Sequence, residues 1–186
     1  MVVPLPRDAL TAPRPILFGK LPAHGDFVAR NLSPGAQAAW DAWASREIEG
    51  ARDALGDDFE QAHEFAPPHR FIVRPGVFGP AWGAGVISPS VDSAGRRFLI
   101  VLGAHPLEET AAVEEGRVLA ANLEDVVYRA FEQRMDADAV IAAAEAALAD
   151  RRSSDDAGEA TPVTQLGDGG GLVLDMLRAG LVEGET

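Results

Sequence analysis

The chain has no cysteine among its 186 residues. Disulfides, thiol nucleophiles and thiolate metal sites are thereby excluded, and the absence fits a cytoplasmic protein. Positive charge is scarce as well: 16 Lys and Arg against 29 Asp and Glu leave a formal net charge of −13. Such a balance repels phosphate backbones and anionic lipid, so neither nucleic acid nor a membrane surface is an expected partner. No apolar run approaches the roughly 18 residues of a membrane-spanning helix. Pro4, Pro6, Pro13 and Pro15 interrupt the N-terminal stretch, which lacks the apolar core of a signal peptide. No internal repeat is evident. The Gly169-Gly170-Gly171 run has no lysine after it, so it is not read as a phosphate cradle. Ser90 before Asp92 lacks the context of a nucleophile elbow. His63 and His69 are not at i, i+4 on one helix, and Pro67-Pro68 separates them, so no metal and no cofactor are expected.

What is present reads as one domain. Apolar residues make up 47% and charged ones 24%, the balance of a soluble globular protein. The length suffices for one sizeable core and is short for two domains.

The stretch with the densest signals is Phe18 to Phe27, Phe-Gly-Lys-Leu-Pro-Ala-His-Gly-Asp-Phe. It follows a short apolar run at Ile16 and Leu17 that reads as a first strand. Pro22 stiffens its centre, and Gly19 and Gly25 leave both ends permissive. One reading is a loop that presents Lys20, His24 and Asp26 for function. The other is a structural turn that Asp26 caps and Phe18 and Phe27 anchor in the core.

Ser33 then caps, and Pro34 opens, a helix predicted over Pro34–Leu55 and stopped by Gly56. Its apolar stripe is Trp40, Trp43, Ala44, Ile48, Ala51 and Leu55. The two indoles are expected to pack on a sheet rather than form a ligand platform. Asp57–Pro68 reads as a connection with a short helical turn near Phe59–Glu64. Strands are predicted at Arg70–Val73, Ala81–Ser88 and Phe98–Leu102, with Gly83 and Gly85 marking a bulge or close backbone approach. Ser88–Arg97 reads as a loop, and the strands around Asp92–Arg97 as an antiparallel hairpin. Helices follow over about Glu108–Arg134, with Gly116 as an early break, and from an N-cap at Asp136 to about Ala149. Arg151–Gly171 has the composition of a linker. Leu172–Val182 is amphipathic, either docking as a last element or remaining as a partner-binding tail.

Several of these pieces, in this order, resemble a known family. They are Phe-Gly-Lys-Leu-Pro at 18–22, Gly-Asp-Phe at 25–27, Trp-Asp-Ala-Trp at 40–43 and Arg-Phe at 70–71. Pro-Gly at 75–76, Gly-Pro at 79–80 and Pro-Ser-Val-Asp-Ser-Ala-Gly-Arg at 89–96 before Phe98 complete the set. Together they look like the N-terminal domain of TagF, also called ImpM, a bacterial type VI secretion-associated protein. The likeness is tight over about Ile16–Pro106 and looser over the helices that follow. His69 departs from the pattern, standing where the family commonly has tryptophan. The resemblance implies a non-enzymatic cytoplasmic accessory factor, a post-translational repressor that binds the forkhead-associated scaffold protein of the secretion system. It implies no catalytic residues.

The combined expectation is a single α+β domain with a mainly antiparallel sheet packed by helices. Residues 1–15 form an irregular arm, 16–149 the domain, and 150–186 a flexible linker and short amphipathic tail. The expected partner-binding or signature residues are Lys20, Asp26, Asp92, Arg96 and Arg97, on two loops that meet at one end of the sheet. Asp26 or Asp92 should pair with Arg96 through charge-assisted bonds. The competing reading is a loop-based hydrolase or small-ligand domain that uses Asp26 and Asp92 as a carboxylate pair. The oligomeric state is left open.

Overall fold

The computed structural model describes residues 12–109, 112–149, 163–167 and 170–183. Elements in chain order are β1 (Arg14–Gly19), β2 (Val28–Arg30), α1 (Pro34–Leu55), α2 (Phe59–Phe65), β3 (His69–Val73) and β4 (Trp82–Val91). They continue with β5 (Arg97–Leu107), α3 (Ala112–Glu132), α4 (Ala137–Ala149), β6 (Val163–Leu166) and α5 (Leu172–Glu183). The fold is α+β. Among the described residues, six strands form one sheet in the order β2-β1-β5-β4-β3-β6, antiparallel throughout except for the parallel β3–β6 pair.

Both faces of the sheet are covered. Alternation along each strand sends successive side chains to opposite faces. Ile16, Phe18, Phe71, Val73 and Val101 pack with residues of α1, α2 and α5. Leu17, Ile72, Ile100 and Leu102 pack with residues of α3 and α4. The core is therefore two layers separated by the sheet. This explains why β5 reads as an almost unbroken apolar run.

α1 has the predicted bounds. Ser33 Oγ accepts from Ala36 N at 3.2 Å, Pro34 opens the helix and Gly56 ends it. Trp40 and Trp43 are buried and meet edge to face, 5.7 Å between centroids. α2 lies where a short helical turn was expected. The bulge suggested by the β4 glycines lies between Trp82 and Ala84. A Cβ on Gly85 would come within 2.3 Å of the Leu102 carbonyl, so the strands approach closely there. Gly116 does not break α3; it lies buried inside the helix against Ala84 and Ile72.

Other expectations need correction. Arg14 and Pro15, assigned to the arm, already belong to β1 because they pair with His105 and Ala104; residues 1–11 lie outside the described residues. β4 runs on through Ser88, Pro89 and Ser90, read as loop. Proline is tolerated because β3 pairs with β4 only from Gly83 to Ile87, so Pro89 has a neighbour on one side alone. Val163–Leu166, inside the stretch read as linker, form β6 on the free edge of β3; residues 150–162 lie outside the described residues. α5 docks as a helix, burying Val173, Met176 and Leu177. Its start is held by Glu47 of α1, a residue 7% exposed, whose carboxylate accepts from the N–H groups of Gly171 and Val173 at 3.1 Å. A carboxylate is well placed there, since the first N–H groups of a helix lack partners within it.

Three histidines are built into these layers. His63 Nε2 donates to the Phe98 carbonyl at 2.7 Å. His69, at the position that departs from the family pattern, shares a 2.7 Å hydrogen bond with Thr164 Oγ1 and so ties β3 to β6. Burial lowers the pKa of His63, His69 and His105 from the ordinary 6.5. The unfolded chain then binds more protons than the folded one as pH falls through 6.5, so folding stability drops on that side. Denaturant midpoints are expected to decrease from pH 7.5 to 5.5. His63→Gln, which can still donate but cannot titrate, should flatten part of that slope. An unchanged slope would remove His63 from the account. Among the described residues, no helix is long and apolar enough to cross a membrane.

Candidate functional site

The β1–β2 connection and the β4–β5 hairpin turn meet at one end of the sheet. Lys20 N donates to the Leu99 carbonyl at 3.0 Å, and Ser93 N donates to the His24 carbonyl at 2.8 Å. Ser90 Oγ donates to the Lys20 carbonyl at 2.6 Å. The hairpin turn thus grips the other loop through its backbone.

Asp92 is the centre of this junction, 2% exposed. Its Oδ1 accepts from the backbone N–H groups of Ala94 at 3.0 Å and Arg96 at 2.9 Å, closing the turn. Its Oδ2 accepts from Lys20 Nζ at 2.9 Å and from Arg96 Nε at 2.6 Å. Burial works to raise the Asp92 pKa. The Lys20 ammonium, the Arg96 backbone and guanidinium and the Ala94 N–H together outweigh it and hold the carboxyl well below the usual range. Arg96 also donates to the Gly25 carbonyl at 2.5 Å, so a single side chain spans both loops.

The second half of the chain braces the same loop. Arg134 donates to the Pro22 carbonyl at 2.9 Å, and Ala137 N, at the start of α4, donates to His24 Nε2 at 3.0 Å. These contacts join residues 112 and 113 positions apart. Spacing in the sequence could not have revealed them; the helix break at Asp136 only placed the α4 start.

Of the five predicted site residues, the structure brings Lys20, Asp92 and Arg96 together. The pairing expected of Asp26 or Asp92 with Arg96 is made by Asp92. Asp26 is exposed and, among the described residues, has no ion-pair or hydrogen-bond partner. Arg97 turns away from the cluster and pairs with Glu60 of α2 at 3.3 Å. Lys20, expected to be available to a partner, is 7% exposed because Asp92 draws its ammonium inward under the Phe27 ring, 5.1 Å from the centroid. Phe27, expected to anchor in the core beside Phe18, is 45% exposed. It stacks on Phe18 at 6.1 Å and meets Phe98 edge to face at 4.9 Å, leaving its outer side uncovered.

The chemistry open to this arrangement follows from the occupied atoms. Both Asp92 oxygens are engaged, and its pKa lies far from the neutral range a general base needs. Asp26 stands outside the cluster, so the two aspartates do not form the carboxylate pair of the hydrolase reading. Among the described residues no group of three or more His, Asp or Glu is placed to hold a metal ion. What the cluster does is fix a loop pair and hold Asp26, Phe27 and the Arg96 side chain, 60% exposed, at the surface.

Fold and site together define a two-sided α+β domain that presents a braced pair of loops at one end of its sheet. The chain belongs to the TagF N-terminal domain family, type VI secretion system-associated, whose model matches residues 17–148. A crystal structure of PA0076 from Pseudomonas aeruginosa PAO1 is similar, with a TM-score of 0.62 and 27% sequence identity over 75% of this chain. The likeness covers 63% of that protein's chain. A search of curated proteins found no significant match.

Proposed function

We propose that this chain is a non-enzymatic, cytoplasmic accessory protein of a type VI secretion system. It acts as a post-translational repressor by binding the forkhead-associated scaffold protein. The family assignment supports the secretion setting. The observation that carries the contact surface is the exposure of Asp26, Phe27 and the Arg96 guanidinium on a base locked by buried Asp92. A half-exposed aromatic ring flanked by charges of both signs suits protein recognition, where aromatic and arginine anchors dominate the binding energy. A rigid base limits the ordering cost of association.

Lys20 is a poor probe of this surface, because its replacement strips a buried partner from Asp92. Asp26→Lys is the cleaner change, since the side chain is exposed. It is expected to weaken capture of the purified scaffold by at least about tenfold, the range of one interface hot spot. The thermal midpoint should stay within about 2 °C of the parent, as for a neutral surface change. Undiminished capture would place the contact elsewhere on the domain. Failure of the unaltered chain to bind the scaffold would remove the repressor reading itself.

A further inference from the structure

Among the described residues, the layer between α1 and the sheet is not filled. A cavity of about 310 Å3 opens there, at the far end of the sheet from the braced loops. β1 spans that distance: its first residue, Arg14, pairs with His105, and its last, Gly19, pairs with Ile100. The strands explain the hollow. On β5 the residue after Val101 on this face is Gly103, and β4 offers Gly83 close by, so among the described residues no strand side chain occupies the floor. Trp40 and Phe78 line the cavity as a parallel pair, 3.6 Å between ring centroids and 8° between planes. Ile16 and Phe71 add apolar wall.

The lining is mostly carbon, with few polar side chains, and two of them are partly engaged. Asn31 Nδ2 donates to the Pro15 carbonyl at 2.8 Å, and Ser33 Oγ caps α1. His105 is different. It is half-buried, and among the described residues neither ring nitrogen has a hydrogen-bond partner. Burial favours its neutral form, which keeps one nitrogen as an acceptor.

Size narrows the occupant. An apolar cavity of about 150 Å3 takes benzene. One of about 310 Å3 has room for two fused rings. Flat aromatic walls favour a flat aromatic guest, and the unpartnered His105 nitrogen favours a guest that carries a donor. We propose that this cavity binds a small bicyclic aromatic molecule of the indole type, packed along the Trp40–Phe78 wall with its ring N–H donated to His105. This site is separate from the loop surface, so the two readings stand or fall independently.

The test is titration of the full chain with indole, followed by calorimetry and by NMR shifts. Indole is expected to bind with Kd below about 1 mM, with shifts concentrated at Trp40, Phe78 and His105. Ala36→Leu places a larger side chain at the cavity wall and should weaken indole by at least about tenfold, as occupied volume excludes the guest. Ala81→Leu, at another lining position, serves the same purpose should the first variant not fold. Indene, which has the same shape without the N–H, should bind several-fold more weakly than indole. His105→Leu should abolish that preference while retaining indene binding. No binding up to the solubility limit of indole, unaltered binding by the filled variant, or a preference that survives the loss of His105 would each overturn the proposal.

Discussion

Trp40→Ala is expected to cost the domain about 3–5 kcal/mol, a large part of the roughly 5–15 kcal/mol that holds a typical domain folded. Trp40 is 1% exposed and is the hub of the ring contacts in its layer. It stacks on Phe78 and meets Trp43 at 5.7 Å and Phe71 at 5.6 Å, both edge to face. Each such pair adds about 0.5–1.5 kcal/mol beyond simple burial. The effect should fall at the upper end of its range, because the site already borders a hollow with a glycine floor and cannot easily collapse. Trp43→Ala, at 5% exposure, should act in the same direction. Urea unfolding measures both. A loss below about 1 kcal/mol in each variant would mean that this face of α1 is not the packed one.

Gly19→Ala is the second large expected effect. Gly19 has φ 127°, a conformation that residues with a side chain rarely adopt. A Cβ there would lie 2.1 Å from the Leu99 carbonyl oxygen and 3.0 Å from Ile100 Cα. Both are backbone atoms of the central β5 strand and cannot swing aside. Relief requires parting β1 from β5 where Lys20 N bonds to Leu99, at the foot of the braced loop. Backbone strain and overpacking each cost about 1–3 kcal/mol, so the total should be about 2–6 kcal/mol. Gly35→Ala is the control. A Cβ there meets nothing within 4 Å, and the change should be neutral or stabilising by up to about 1 kcal/mol. Equal effects at the two glycines would refute the close approach at Gly19.

The contrast between these glycines also shows what a sequence can reveal. α1 was legible to the residue because its signals are local: Ser33 and Pro34 at one end, Gly56 at the other, and an apolar stripe between. The β4–β5 hairpin was legible for the same reason. β2 was not, because three residues are too few to carry a pattern. β6 was not either, since Val163–Leu166 become a strand only by pairing with the free edge of β3. At the site, opposite charges on two loops announced a cluster, and Asp92 with Arg96 followed. The direction of Lys20 was hidden, because lysine is ordinarily solvated and only a buried carboxylate 72 positions away draws it inward. Glu47 was hidden likewise: its partners at Gly171 and Val173 are 124 and 126 positions away.

The docking of α5 has a consequence for how the protein is made. The matched family region ends at residue 148, yet the apolar face of α1 and α2 is covered by Val173, Met176 and Leu177. During synthesis, that face emerges early and waits. Leu177 is added 28 positions after Ala149, the end of α4. At about 5–20 residues per second, that is roughly 1–6 s of translation. Over that interval the nascent chain can close one side of its sheet with α3 and α4 while the other remains greasy and open to chaperones or to neighbouring chains on the same message. A ribosome that terminates in that interval releases a chain with this side uncovered.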